Sequence, residues 1–278
     1  MKTAMQAPIL AEQLMIVPAN EASWDDLAAI FGTTDYPGRC QCQRFKVVGW
    51  IWRDSTQEER TAMFRAQNSC GVPNAVATSG LVAYVDDEPA GWVAVEPRTA
   101  YPKLRTSRVP WSGRHEDKGD DSVWAVTCFA VRKGYRGRGL TYPLAQAAIG
   151  FARERGARAL EAYPMITQPG KEITWGEMHV GARQVFLDAG FVEVSRPTAR
   201  RVVMRIDFVH VADPLTAPRC HQGVSDRENP GRHQWCAAAN WSASVEPASA
   251  VVDASGLIAE VTMSKYPVPT SRWCLVAV

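Results

Sequence analysis

Short apolar runs alternate with amphipathic stretches along most of the chain, and the pattern gives out beyond Val209. Residues 14–18, Leu-Met-Ile-Val-Pro, read as a short strand. Ser23 follows as a helix N-cap, with Asp25 and Asp26 in the first turn, Leu27, Ile30 and Phe31 on one face, and Gly32 as the stop. The segment 33–53 mixes Gly, Pro, Cys, Trp and basic residues and yields no clear element. A second helix is expected from an N-cap at Ser55, with Glu58 completing a capping box, through Met63 and Phe64. Residues 81–85 and 91–95 form an antiparallel hairpin across the turn Asp86-Asp87-Glu88-Pro89. A long polar loop, 96–121, leads to the run 123–131, which is almost wholly apolar and so central in its sheet.

After Gly139 a helix places Leu140, Leu144, Ala148 and Phe151 on one face and stops at Gly156. Residues 159–163 read as a strand, 181–189 as a helix stopped by Gly190, 191–194 as a strand, and 202–206 as a last strand paired with it across a turn at Pro197. The fold class is therefore α/β (α+β): a mixed, mostly antiparallel central sheet flanked by helices. Residues 14–209 form one domain on this reading. Residues 210–278 lack periodicity and are expected to be an irregular, or disordered, C-terminal extension.

Composition narrows the function classes without choosing one. Hydrophobic residues make up 46% and charged residues 22% of the chain, an ordinary globular balance. A net charge of +2 gives no electrostatic footprint for nucleic acid, so no nucleic-acid partner is expected. No apolar run approaches the roughly 20 residues that span a bilayer, and no membrane partner is expected. Seven cysteines are few and odd in number for a disulfide scaffold of 278 residues, which points to reduced thiols and a cytoplasmic location. Nothing in the pattern sets the oligomeric state.

The segment that carries chemistry runs from Val126 to Thr141. An apolar strand leads into Lys133-Gly134-Tyr135-Arg136-Gly137-Arg138-Gly139, which opens a helix. Such a turn leaves backbone N–H groups unpaired at the positive end of the helix. Gly137 and Gly139 let the backbone approach an anion closely, and Arg132, Lys133, Arg136 and Arg138 add charge suited to a pyrophosphate. A P-loop would end Gly-Lys-Ser/Thr and a dinucleotide fold would carry Gly-x-Gly-x-x-Gly; neither is present. Taken alone, the turn could also be a solvated basic connection.

The whole of 14–209 resembles the GNAT acyltransferase superfamily, in which Arg/Gln-x-x-Gly-x-Gly/Ala cradles the CoA pyrophosphate. Here the match is Arg136-x-x-Gly139-x-Thr141, with Thr141 in place of the usual small residue. Downstream, 182–191 (Ala-Arg-Gln-Val-Phe-Leu-Asp-Ala-Gly-Phe) matches the family's later helix–Gly-Phe–strand signature. Residues 92–98, 124–129 and 161–164 further resemble a group of bacterial GNAT proteins whose substrates are largely unassigned.

The resemblance implies acetyl-CoA as co-substrate, an amine acceptor and direct attack. It implies that the backbone of Phe129, Ala130 and Val131 holds the pantetheine arm, that an N–H near Phe129 stabilises the oxyanion, and that Arg136, Gly137, Arg138, Gly139, Leu140 and Thr141 bind the pyrophosphate. The family's general-acid tyrosine falls on Phe186, which cannot donate a proton.

Candidates for acid and base are Glu161 and Tyr163, polar groups within an apolar strand, then Glu96 and His179. Each has a plainer alternative: a salt-bridged strand residue, a core aromatic, a solvated loop acid and a surface imidazole. Tyr101, Arg105, Arg108, Trp111, Trp175 and His179 stand in two long loops, 96–121 and 165–180, that suit small-molecule recognition. Cys128 reads as a core thiol rather than a nucleophile. Cys40-Gln41-Cys42 is too closely spaced for an ordinary zinc pair, and Cys220-His221 with His233 and Cys236 has poor geometry for one, so no metal is expected. Two rival readings stay open: a degenerate GNAT domain that binds acyl-CoA as a sensor or partner module, and an interaction protein whose active part is the tail.

Overall fold

A computed structural model describes residues 7–32, 35–168, 170 and 173–208. The extension expected over 210–278 lies outside the described residues. Seven strands, β1 (Leu14–Pro18), β2 (Gly80–Val85), β3 (Glu88–Pro97), β4 (Val123–Val131), β5 (Ala159–Ala162), β6 (Val192–Thr198) and β7 (Arg201–Asp207), form one sheet in the order β1-β2-β3-β4-β5-β7-β6. Only β4 and β5 are parallel. The sheet is mixed, mostly antiparallel and flanked by helices, as the sequence pattern predicts.

The first helix, α1 (Trp24–Phe31), is framed by a reciprocal cap: Asp26 N–H donates to Ser23 Oγ at 3.1 Å and Ser23 N–H to Asp26 Oδ2 at 3.2 Å. Segment 33–53, unassigned from sequence, contributes α2 (Tyr36–Cys40) and α3 (Gly49–Asp54), both too short to leave a periodic signature. The next helix, α4 (Gln57–Asn68), begins one residue later than expected, capped by Thr56 and Glu59 rather than Ser55 and Glu58. Ser55 is already committed: its N–H closes α3 on Ile51 O at 2.9 Å, and its carbonyl and hydroxyl accept from Arg60.

The β2–β3 turn is also tighter than expected. Asp86 and Asp87 take φ of 51° and 64°, a two-residue turn whose twist matches the strands, so Glu88 and Pro89 belong to β3. Within 96–121, α5 (Pro102–Thr106) and α6 (Arg108–Trp111) replace the expected open loop, and Trp111 Nε1–H ties them by donating to Leu104 O at 2.6 Å. The crossover helix α7 (Thr141–Glu154) joins β4 to β5. A turn of helix, α8 (Trp175–Met178), and α9 (Arg183–Asp188) precede the last hairpin. That hairpin turns at Ala199 and Arg200, not at Pro197, which lies in β6 at the sheet edge where a missing N–H is tolerated.

Two faces of β4 carry two cores. Val126, Phe129 and Val131 pack with Leu144, Ala145 and Ala148 of α7. Cys128 and Ala130 pack on the other face with Phe31, Phe64 and the wholly buried Trp92. A smaller cluster on the face away from α7 gathers Tyr101, Leu104, Ala125, Tyr163 and Val203. No helix among the described residues is long and apolar enough to cross a membrane.

Candidate active site

The site begins as a fault in the sheet. Ala94 pairs with Cys128 and Val95 with Val126, so Thr127 is an extra residue, a bulge in β4. Parallel pairing of β4 with β5 stops at the same point, Val126 with Ala162, and the strands part beyond it. Arg132 N–H donates to Ala90 O at 2.9 Å, so by antiparallel alternation residues 130 and 132 bond to β3, while Phe129 and Val131 turn their N–H and C=O into the gap. Of the three residues expected to hold an arm by their backbone, Phe129 and Val131 present their polar groups to the gap, and Ala130 bonds to β3. Phe129 N–H donates to the His179 carbonyl at 2.6 Å. The segment that brings this carbonyl in packs closely: a Cβ on Gly181 would lie 2.9 Å from Phe186 and 3.0 Å from Phe129.

The basic turn lies at the open end of the gap. Gly137 (φ 75°) and Gly139 (φ 82°) are left-handed, with nothing within 4 Å of where a Cβ would project. Leu140 and Thr141 begin α7, and the N–H groups of Gly137, Arg138, Gly139 and Leu140 donate to no acceptor among the described residues. The arginine side chains are less free than the sequence implied. Arg136 Nε–H donates to Val131 O at 2.8 Å and its guanidinium pairs with Asp35 at 3.0 Å. Arg138 Nε–H donates to Ala7 O at 2.9 Å. What the turn leaves unpaired is thus chiefly backbone N–H.

The four acid–base candidates fall in three different settings. Glu161 has no exposed surface; Arg98 (3.2 Å), Tyr163 Oη–H (2.9 Å), Arg205 (3.0 Å) and Arg114 all donate to it. Tyr163 is wholly inside this network, and burial, then the Glu161 charge, push its phenol well above the ordinary range. Glu96 forms an ion pair with Lys46, whose ammonium stands 4.7 Å over the Tyr101 ring; burial raises the Glu96 carboxyl and Lys46 opposes that. His179 is separate from both. Its Nδ1 lies 2.9 Å from Gly176 O, and a carbonyl only accepts, so Nδ1 carries the proton and Nε2 the lone pair. Nε2 is buried with no partner among the described residues. Burial first, then Arg201, Arg44 and Lys103, hold this imidazole down to about 4.

His179 lines two spaces. One is a small cavity among Phe31, Tyr36, Cys40, Cys42, Cys128 and Ala130, against Phe129. The other is a cleft of about 260 Å³ on the face away from α7, walled by Arg44, Phe45, Lys103, Tyr163, Gly176 and Arg201 among others. Arg44, Phe45, Lys103 and Arg201 were not singled out from sequence, since each is an ordinary residue of a short helix, loop or strand until the fold gathers them. Of the loop residues expected to recognise substrate, His179 is in this cleft. Tyr101 is fully buried, Trp111 lies under the Arg98 guanidinium (4.7 Å), and Arg105 and Arg108 are exposed outside it. The side chain of Trp175 lies outside the described residues. Cys40, Cys42, Cys70 and Cys128 are free thiols, and the hydrogen bond with Cys42, then burial, raise Cys128 well above its ordinary value. No group of His, Cys, Asp or Glu suited to a metal occurs among the described residues; Cys220, His221, His233 and Cys236 lie outside them.

The described site thus joins a sheet split at a bulge to a glycine turn that opens a helix. Residues 45–169 match the Acetyltransferase (GNAT) family. Similar solved structures include yncA of Salmonella typhimurium with its cofactor acetyl-CoA, at 17% identity over 73% of this chain and 98% of that one, TM-score 0.40. The N-acetyltransferase from Staphylococcus aureus Mu50 is 16% identical over 70% of this chain and 98% of its own, TM-score 0.39. A GCN5-related N-acetyltransferase from Kribbella flavida is 17% identical over 72% of this chain and 100% of its own, TM-score 0.40. No curated protein matches the chain.

Proposed function

We propose that this protein is a CoA-dependent N-acetyltransferase that passes an acetyl group to an amine of a small molecule or peptide by direct attack, in the cytoplasm. The observation that carries this reading is the Thr127 bulge, which turns the Phe129 N–H into the gap between β4 and β5 next to the Gly137–Gly139 turn. The unpaired N–H groups of residues 137–140, at the positive end of α7, suit a pyrophosphate. The backbone of Phe129 and Val131 suits the pantetheine arm, once Arg136 yields the Val131 carbonyl. Acetyl-CoA supplies the thioester when bound; the chain's own groups polarise it and move protons.

Phe129 N–H is the donor for the thioester carbonyl, and it becomes available when the His179 carbonyl gives it up. His179 Nε2 is the acceptor for the amine proton, being neutral, unpartnered and on the wall between cavity and cleft. Tyr36 lines the same cavity and remains a phenol at neutral pH, since burial pushes it up to about 12; it offers the proton that Phe186 cannot. Glu161 and Tyr163 hold β5 to its neighbours in place of acting on substrate, and Glu96 answers Lys46. The test is calorimetry with acetyl-CoA, followed by CoA thiol release over a panel of amines with mass spectrometry of the product. No binding at millimolar acetyl-CoA would overturn the reading, and binding without turnover of any amine would leave a CoA-binding module.

A further inference from the structure

Elsewhere on the described surface and core, most arginines have a carboxylate: Arg98, Arg114 and Arg205 share Glu161 and Glu116, and Arg132, Arg158, Arg183, Arg196 and Arg200 each have one. Others, such as Arg60, Arg65, Arg138 and Arg153, rest on carbonyls or rings instead, and the cleft beside His179 gathers cations of that second kind in one place. Arg44 rests over the Trp52 ring at 5.2 Å and has no carboxylate among the described residues, and the Lys103 ammonium bonds to none of them. Arg201 spends one N–H on Tyr163 O at 3.0 Å. The one acid on the wall, Glu177, is already taken by Arg200 at 3.2 Å. Three cations therefore face one small space with no ion pair of their own among the described residues, although the Glu177 charge also reaches Arg201. Burial leads and like charge follows in lowering Lys103, so the protein bears an electrostatic cost there.

Beside them the buried Nε2 of His179 has no partner among the described residues. An unmatched acceptor and unmatched cations, converging on one cleft, describe the complement of a molecule that bears both an amine and an anion. The cleft's size, about 260 Å³, is below the roughly 300 Å³ at which drug-sized pockets begin and suits an acceptor of amino-acid size.

We infer that the acceptor is a small amine carrying a carboxylate or phosphate. Arg44, Lys103 and Arg201 hold the anion, and His179 Nε2 faces the amine. This rests on the acetyltransferase reading and names its substrate class. In the transfer the amine nitrogen bonds to the acyl carbon and the carbon–sulfur bond breaks, its electron pair leaving on the CoA sulfur. One amine proton passes to His179 Nε2 and from there to solvent, and the sulfur takes a proton from Tyr36 or solvent. Anion binding serves this chemistry twice. It anchors the substrate, and it offsets the positive field that disfavours a proton on His179.

The experiment uses the full chain, acetyl-CoA and matched acceptors: phenylalanine against phenethylamine, O-phosphoethanolamine against ethanolamine, and spermidine as a cation. The anion-bearing member of at least one pair is expected to exceed its partner lacking the anion by about 100-fold in kcat/KM, mostly through KM, the size of a charge-assisted contact. Lys103→Glu, at a half-buried position whose ammonium has no partner to lose, should abolish that preference while the melting temperature holds. The two pairs tell carboxylate from phosphate. Equal turnover of neutral, cationic and anionic amines would overturn the anion assignment and leave the acetyltransferase reading intact. Where no amine in the panel turns over, inorganic phosphate and malonate are titrated by NMR without CoA. Saturable shifts at the cleft in the parent, lost in Arg44→Ala/Lys103→Ala, support the site independently of catalysis; no saturable shift sinks it.

Discussion

Replacing Glu161 by Gln asks whether the most buried carboxylate of the site is chemistry or framework. Gln keeps the shape and removes one charge. In the folded protein that charge is met by Arg98, Arg114 and Arg205 and by the Tyr163 hydroxyl, all within a region where Glu161 is 0% and Arg98 1% exposed. Three guanidiniums are balanced there by Glu161, Glu116 and, on Arg205, Asp207. Without Glu161 the cluster carries an excess positive charge, and the amide nitrogen of Gln turns hydrogens toward a guanidinium. Removing one partner from a buried pair costs about 3–5 kcal/mol, a large share of the 5–15 kcal/mol a domain has in all. The melting temperature should fall by on the order of 10 °C. Urea unfolding at low temperature gives the loss directly, and kcat per folded molecule, from acetyl-CoA-dependent thiol release, should stay within about threefold of the parent, well short of the effect of losing an acid or base. A kcat down by 100-fold with stability intact would refute the framework role and restore Glu161 as an acid–base group.

In the glycine turn, Gly139→Asp combines a left-handed φ of 82° with a carboxylate at the anion cradle; charges about 5 Å apart at an effective dielectric near 20 repel by about 3 kcal/mol, so calorimetry should show acetyl-CoA affinity down by about 100-fold. Arg136→Ala should weaken it less, because that guanidinium is engaged with Val131 O and Asp35; parent-like affinity in a folded Gly139→Asp protein would misplace the phosphate site. His179 is held at about 4 when folded, against 6.5 as its ordinary value. Its folded pKa is depressed, so for a group neutral when folded the contribution is present above pH 6.5 and is lost as pH falls toward 4, about 3 kcal/mol in total. Urea unfolding between pH 7 and 4.5 should show that decline in the parent and not in His179→Gln; identical slopes would mean the imidazole is not buried neutral. A chain ended after Val209 should keep acetyl-CoA affinity, since all seven strands and the glycine turn lie within 14–207; a soluble, folded truncation without affinity would place part of the site beyond it.

Most of the frame was legible because it is written in local chemistry. The apolar runs at 14–18 and 123–131 became strands with those very bounds, and Ser23 and Gly32 bracket α1, because strand pleat and helix capping are decided within a few residues. The glycine turn before α7 could be read for the same reason: left-handed backbone at Gly137 and Gly139 needs no distant partner. Where local signals competed, the reading slipped by a residue, as at Ser55, whose donor and acceptors were already claimed by α3 and Arg60. Short helices such as α2, α5 and α6 carry too few turns to show a period.

What only the tertiary structure decided is which polar groups are free. Glu161 and His179 look equally eligible in the sequence. Strand pairing then sets Arg205 beside the first, and the 96–121 segment folds back to bring Arg98 and Arg114 to it. The fold leaves the second with a nitrogen that has no partner among the described residues, beside three cations from a loop, a short helix and an edge hairpin. Availability for chemistry is a property of neighbours across space, and residues 44, 103, 179 and 201 become neighbours only when the sheet closes.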